Sequence, residues 1–458
     1  MRVHHAWANQ AVTFTVECDP DERPATYQTA RHFATLAPHP QTGEVTFRFL
    51  LPDVLGRFEA VHPDLWGLVV LLAVYPFVDR ELRLSWSVSQ ALADAYRTAT
   101  GGKALVPVDA ALEPRAGGDT DPSGAPRHAS VAYGGRLHAY LTAAVMGQDA
   151  RLVALDHWNA RAGVRTAPYP ADGLYYALDV MESKHYHVSM VKTDVESLCK
   201  PHGFAHPLTA ACGNVLLADA LQLHTVAVGS RLHDVRAFLQ PRQPLAAVGF
   251  KHVDVPVALE GHETHPTGSI QGWRALFGAC GLALEFPTCG AHDGLLVRLM
   301  HAHGLWHEAH YCLYARSACR CETCIECLYY TELHKAVTQA PTTFDALWNR
   351  CTHHFPETVA CVQDVGTPHR WHTFWAAMVR RRETLPTGKA FDALHTMHRT
   401  LSTHATDLHA GMQALTGEAA WSRVEQGLRR LLGVLYVGGG TVQRDRFGGG
   451  RAVGGGRR

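Results

Sequence analysis

Between Ala129 and Ser230 short apolar runs alternate with stretches of helical periodicity, and this alternation narrows the possible folds more than any other feature of the chain. Ala129 to Tyr133 reads as a strand, Gly134-Gly135 as a tight turn, Leu137 to Met146 as a helix and Arg151 to Leu155 as the next strand. A helix around Gly173 to Ser183, a strand at Tyr186 to Val191, a helix at Leu208 to Leu221 and a strand at Thr225 to Val228 continue the pattern, which ends at Gly229-Ser230. Strands separated by helices at this spacing lie parallel in one sheet, with the helices covering both faces. The predicted fold class is therefore α/β.

Other segments carry different patterns. Residues 1–100 read as an α+β domain, with strands at Ala11 to Cys18, Glu44 to Leu51 and Leu82 to Val88 and a helix from Gln90 to Thr98. A Gly/Pro/Asp-rich stretch, residues 101–127, reads as a linker to the α/β domain, assigned to 128–338. Residues 339–436 turn helical: Leu394, Met397, Leu401, Leu408 and Met412 recur at the spacing of a helix buried on one face. The last stretch, residues 437–458, is rich in Gly and Arg, cannot bury a core and is expected to be disordered.

Composition excludes several classes. Lys+Arg and Asp+Glu balance at 42 each, so no overall field draws the chain to nucleic acid or to an anionic membrane. Nucleic-acid contact is confined to the Gly/Arg tail, which is similar to RNA-contacting RGG segments and reads more simply as a flexible tail. The longest apolar run, Leu65 to Phe77, is too short to span a bilayer and reads as a buried helix or strand pair. The first residues lack a basic segment followed by an apolar run, so the expectation is a soluble, intracellular, reduced protein without a membrane partner.

Four cysteines, Cys312, Cys321, Cys324 and Cys327, follow the spacing C-x8-C-x2-C-x2-C. Two successive C-x2-C steps turn three thiolates toward one point and a loop returns a fourth, which suits the tetrahedral sulfur shell of a structural zinc. Disulfides or free thiols are the alternative, and the dense spacing favours metal. Cys319 lies inside the loop and is read as a bystander, because its C-x-C step to Cys321 is the poorer ligand spacing. The histidine pairs His4-His5, His185 with His187, His262 with His265 and His353-His354 read as polar surface. Gly261-His262-Glu263-Thr264-His265 is one residue short of the zincin motif, so its imidazoles would not share a helix face.

The cysteine spacing resembles the zinc motif of 7-cyano-7-deazaguanine synthases, members of the PP-loop ATP pyrophosphatase superfamily. The resemblance extends over about residues 127–338. It takes in the strand-turn-helix at Ala129 to Met146, the helix-strand-glycine passage from Asn214 to Gly229, and the segment His292 to Leu299 ahead of the first zinc cysteine. It implies a parallel sheet with helices on both faces, a zinc cluster, and use of ATP and Mg2+ to adenylate a carboxylate for amide or nitrile formation. Over the family's Ser-Gly-Gly-x-Asp-Ser loop this chain carries Tyr133, Gly134, Gly135, Arg136, Leu137 and His138. Both serines and the aspartate are replaced. Backbone N–H groups at a helix N-terminus still favour an anion, so Gly134, Gly135, Arg136 and His138 are the candidate nucleotide contacts. Two functions stay open: an ATP-dependent carbon-nitrogen ligase with weakened chemistry, and a zinc-containing pseudoenzyme that binds a nucleotide, a small acid or a protein.

Overall fold

The computed structural model describes residues 1–19, 26–28, 33–38, 43–52, 58–118, 128–135, 137–157, 171–200, 207–229, 270–288, 296–297, 300–301, 306, 330–331 and 334. The strands are β1 (Arg2–Ala8), β2 (Ala11–Glu17), β3 (Thr26–Gln28), β4 (Phe33–Leu36), β5 (Val45–Leu50), β6 (Glu81–Ser89), β7 (Ala104–Asp109), β8 (His128–Ala132), β9 (Arg151–His157), β10 (His187–Thr193), β11 (Cys199–Lys200), β12 (Leu223–Val228) and β13 (Ala283–Glu285). The helices are α1 (Pro63–Val74), α2 (Gln90–Ala99), α3 (Leu137–Met146), α4 (Ala171–Ser183), α5 (Cys212–Leu216) and α6 (Ile270–Ala279).

Ten strands form one sheet in the order β13-β12-β8-β9-β10-β5-β2-β1-β6-β7. Its first five strands are all parallel, as the alternating pattern requires. The fold is α/β with a mostly parallel sheet. On β9, Asp156 meets Tyr175 of α4, whereas its neighbour Leu155 lies against Gly213 of α5. Successive strand residues point to opposite faces, so α4 and α5 cover the two sides of this region.

The strands of residues 1–100 join the same sheet. Lys192 and Thr193 of β10 pair antiparallel with Leu50 and Phe49 of β5. Two side chains reinforce the seam: Asp194 accepts from Arg48 N at 2.6 Å, and Thr193 Oγ1 donates to Arg48 O at 2.8 Å. Within the Gly/Pro/Asp-rich stretch, Ala104–Asp109 forms β7, the edge strand beside β6. Pro107, which has no N–H to donate, is tolerated at such an edge.

The apolar run at Leu65 to Phe77 folds as α1 and a 3-10 turn, and α1 is buried from Asp64 to Val74. A helix apolar around its whole circumference has to be enclosed on all sides. Enclosure comes from β6, from α5 and from the 3-10 turn at Pro207–Ala211, all of which pack on α1. Helix α2, which follows β6, packs on α6, which precedes β13, so helices from the two ends of the sheet meet. Among the described residues no helix is long and apolar enough to cross a membrane.

The helix predicted over Leu208 to Leu221 takes another form. Pro207–Ala211 is a 3-10 turn, α5 ends at Leu216, and turns lead into β12. The carbonyl of Ala218 accepts from Leu223 N at 2.7 Å and from Arg115, and Asp219 is held by His62 and Arg115. Arg115 and Leu223 take the Ala218 carbonyl that a continued helix would use, and the Asp219 carboxylate is anchored across the fold, so tertiary contact overrides propensity. The predicted helices of residues 339–436 and the tail at 437–458 lie outside the described residues.

Candidate functional site

In chain order the parallel strands β8, β9, β10, β12 and β13 stand as 3-2-1-4-5, with β8 next to β12. The connections from β8 therefore leave first to one side and later to the other. In open sheets of this order ligands bind beyond the carboxyl ends of the strands where the direction reverses. Here that place is bordered by Tyr133, Gly134 and Gly135 after β8 and by Gly229 after β12.

Of the two glycines of the turn, Gly135 has a physical reason within the fold. Gly135 has φ +71°, and a Cβ there would stand 3.0 Å from Ala177 of α4. Gly134 is exposed, with open space where its Cβ would be. The chain then enters α3 at Leu137, whose first N–H groups lie at the same end of the sheet. Gly229 brings β12 close to that helix. A Cβ on it would sit 2.9 Å from the backbone of His138 and Ala139. Gly229→Ala is expected to cost about 1–3 kcal/mol in urea unfolding, because backbone cannot swing aside as a side-chain tip can.

The side chains of the turn divide. Tyr133 and Leu137 are buried members of the core, at 2% and 1% exposure. His138 is half-buried, and its carbonyl accepts from Thr142 Oγ1 at 2.8 Å. Arg136 lies outside the described residues. Sequence reasoning missed Asp156 near the end of β9: it is buried and accepts from Tyr175 OH at 2.8 Å. The available signal was an aspartate ending the apolar run of Arg151 to Leu155, where a carboxylate in a buried strand calls for a partner.

The described cysteines that are buried make poor nucleophiles or metal ligands. Burial and the nearby Glu196 charge push the Cys199 thiol up to about 11. Burial also pushes Cys212 up, and burial together with Asp64 raises Cys280. Each therefore stays a protonated thiol at neutral pH. Cys312, Cys321, Cys324 and Cys327 lie outside the described residues, as does Cys319. Among the described residues no group of three or more His, Cys, Asp or Glu is placed to hold a metal ion. His4, His185 and His187 are exposed, as polar surface should be. His5 is more engaged, stacked on Phe58 at 4.2 Å with Nδ1 2.7 Å from Ser85 Oγ. Burial is the main cause that lowers its pKa.

A family model described as "Family of unknown function (DUF6395)" matches residues 272–364. That span begins in α6 and includes β13 and all four clustered cysteines, but not the turn at Tyr133 to His138. Comparisons with curated proteins and with solved structures give no match.

Proposed function

We propose that this chain is a divergent protein of the 7-cyano-7-deazaguanine synthase type that binds a nucleotide at the ends of β8 and β12, with ATP chemistry weakened or lost. The observation that carries the reading is the 3-2-1-4-5 strand order with the Gly134-Gly135 turn opening α3 at the point of reversal. Backbone N–H groups there offer an anion site that needs no side chain. Arg136 and His138 are the flanking candidates for phosphate. In the same proposal Cys312, Cys321, Cys324 and Cys327 hold one structural zinc.

Leu137 favours the non-catalytic form of the proposal. It stands where the resemblance would place a carboxylate, and its side chain is in the core. An aliphatic group cannot organise Mg2+, and catalysis of nucleotidyl transfer rests almost wholly on positioning and charge. If adenylation persists, the chain's own task is to hold the carboxylate and the α-phosphate in line.

Calorimetry with ATP and AMP, with and without Mg2+, is expected to show binding, and a pyrophosphate assay is expected to show no turnover. Gly135→Val should abolish the binding, since a branched residue is strained at positive φ. Failure of ATP, AMP and pyrophosphate to bind at millimolar concentration would sink the nucleotide reading. Rapid Mg2+-dependent release of pyrophosphate would instead establish the ligase reading.

A further inference from the structure

We propose that His301 and His334 form a binding site for a borderline divalent metal ion such as zinc or nickel, separate from both the nucleotide turn and the cysteine cluster. His301 Nδ1 and His334 Nε2 stand 3.3 Å apart, although the residues are 33 positions apart in the chain. Two nitrogens of a tetrahedral zinc shell, each about 2.0–2.1 Å from the ion, are separated by about 3.3 Å. The spacing is thus that of one edge of a metal tetrahedron.

The pair is also oriented in advance. The His334 ring lies flat on Trp306, with centroids 4.2 Å apart and an interplanar angle of 1°. Trp306 itself is buried, at 3% exposure, so the stack fixes the plane of the imidazole. The His301 ring crosses that of His334 at 69°. His301 is exposed, which leaves room for water to complete the coordination. Two surface histidines without such support would lose side-chain entropy on meeting an ion; here part of that cost is already met in the fold.

The protonation chemistry is consistent. Without metal, one N–H joins the two rings. For metal binding both facing nitrogens must be bare, so the proton moves through solvent and the two rings carry their protons on His301 Nε2 and His334 Nδ1. No net proton is released from a neutral pair. Imidazole nitrogen suits zinc, nickel and copper, and water at the remaining positions makes the ion exchangeable.

Nickel is the probe. Full-length protein, first saturated with zinc and desalted, is titrated with Ni2+ by calorimetry, alongside His301→Ala, His334→Gln and Cys321→Ser. The expected result is one nickel fewer per chain in each histidine variant and an unchanged nickel count in Cys321→Ser. Trp306→Leu should keep the count and weaken affinity about tenfold, as loss of an orienting contact does. His301 is exposed, so His301→Ala should melt at the wild-type temperature and its nickel count remains a direct reading. Equal nickel counts and affinities in wild type and both histidine variants would overturn the proposal and leave the pair a plain hydrogen bond. None of these outcomes depends on whether ATP binds.

Discussion

Arg115→Ala is expected to lower stability by about 3–5 kcal/mol, mainly because several buried carbonyls lose their donor at about 1–3 kcal/mol each. Arg115 is buried, and its Nε donates to Asp219 Oδ1 at 2.6 Å. Its other nitrogens donate to four carbonyls: Gly281 at 3.1 Å, Cys280 at 3.4 Å, Leu223 at 3.0 Å and Ala218 at 3.4 Å. Those carbonyls belong to the turn between α6 and β13, to the turns before β12 and to the first residue of β12 itself. Asp219 in turn accepts from the backbone N of His62 at 2.9 Å, at the start of α1. One guanidinium therefore ties the segment after β7 to both the parallel strands and the enclosed helix. Asp219 is 30% exposed, so water screens the ion pair itself, and most of the loss should come from the stranded carbonyls. Arg115→Lys should recover little, because a single ammonium cannot reach as many acceptors as the planar fork. The control is Arg97→Ala, whose exposed pair with Asp94 should matter by no more than about 0.5 kcal/mol. Equal urea midpoints for Arg115→Ala and wild type would show that this hub contributes nothing to folding.

Local patterns made the centre of the molecule legible. β8, α3, β9, α4, β10 and β12 all appear where apolar runs and helical periods alternate, most clearly at β8, β9 and β12, which are buried along most of their length. β1 was not visible: in Arg2–Ala8 only Val3 is buried, and two adjacent histidines hide the alternation. β7 was hidden by its Gly- and Pro-rich surroundings, and its place depends on β6, an element far from it in pattern though near in sequence. The glycine turn at Gly134-Gly135 was readable as a motif. Asp156 and the close approach of Gly229 to α3 were not, since both depend on which strands become neighbours. The same holds for Arg115, an arginine in a polar stretch whose five partners lie more than 100 residues away. Period reveals faces of elements; it is silent about the long-range bonds that decide how they are held.

Asp64→Ala is expected to cost about 3 kcal/mol, from buried hydrogen bonds to a charged acceptor. Asp64 lies in the first turn of α1, and its side chain is fully buried. It accepts from Ser89 N at 2.7 Å and Ser89 Oγ at 2.7 Å, while Ser89 Oγ caps α2 by accepting from Leu92 N at 3.3 Å. The carboxylate thus faces the N-terminal ends of two helices, where both dipoles favour negative charge. The 3.8 Å approach of His62 Nδ1 is not an ion pair. Nδ1 accepts from Asp64 N at 3.2 Å, which places the imidazole proton on Nε2, facing Glu113 O at 3.1 Å. Removing the carboxylate leaves the Ser89 donors without their acceptor and loosens the cap of α2. Asp64→Asn should recover part of the loss, because the amide oxygen can take one donor while its NH2 opposes the other. Ser89→Ala should cost about 1–2 kcal/mol, and the double variant should cost less than the sum of the two, since both changes break the same bonds. Strict additivity in urea unfolding would show that Asp64 acts through some contact other than Ser89.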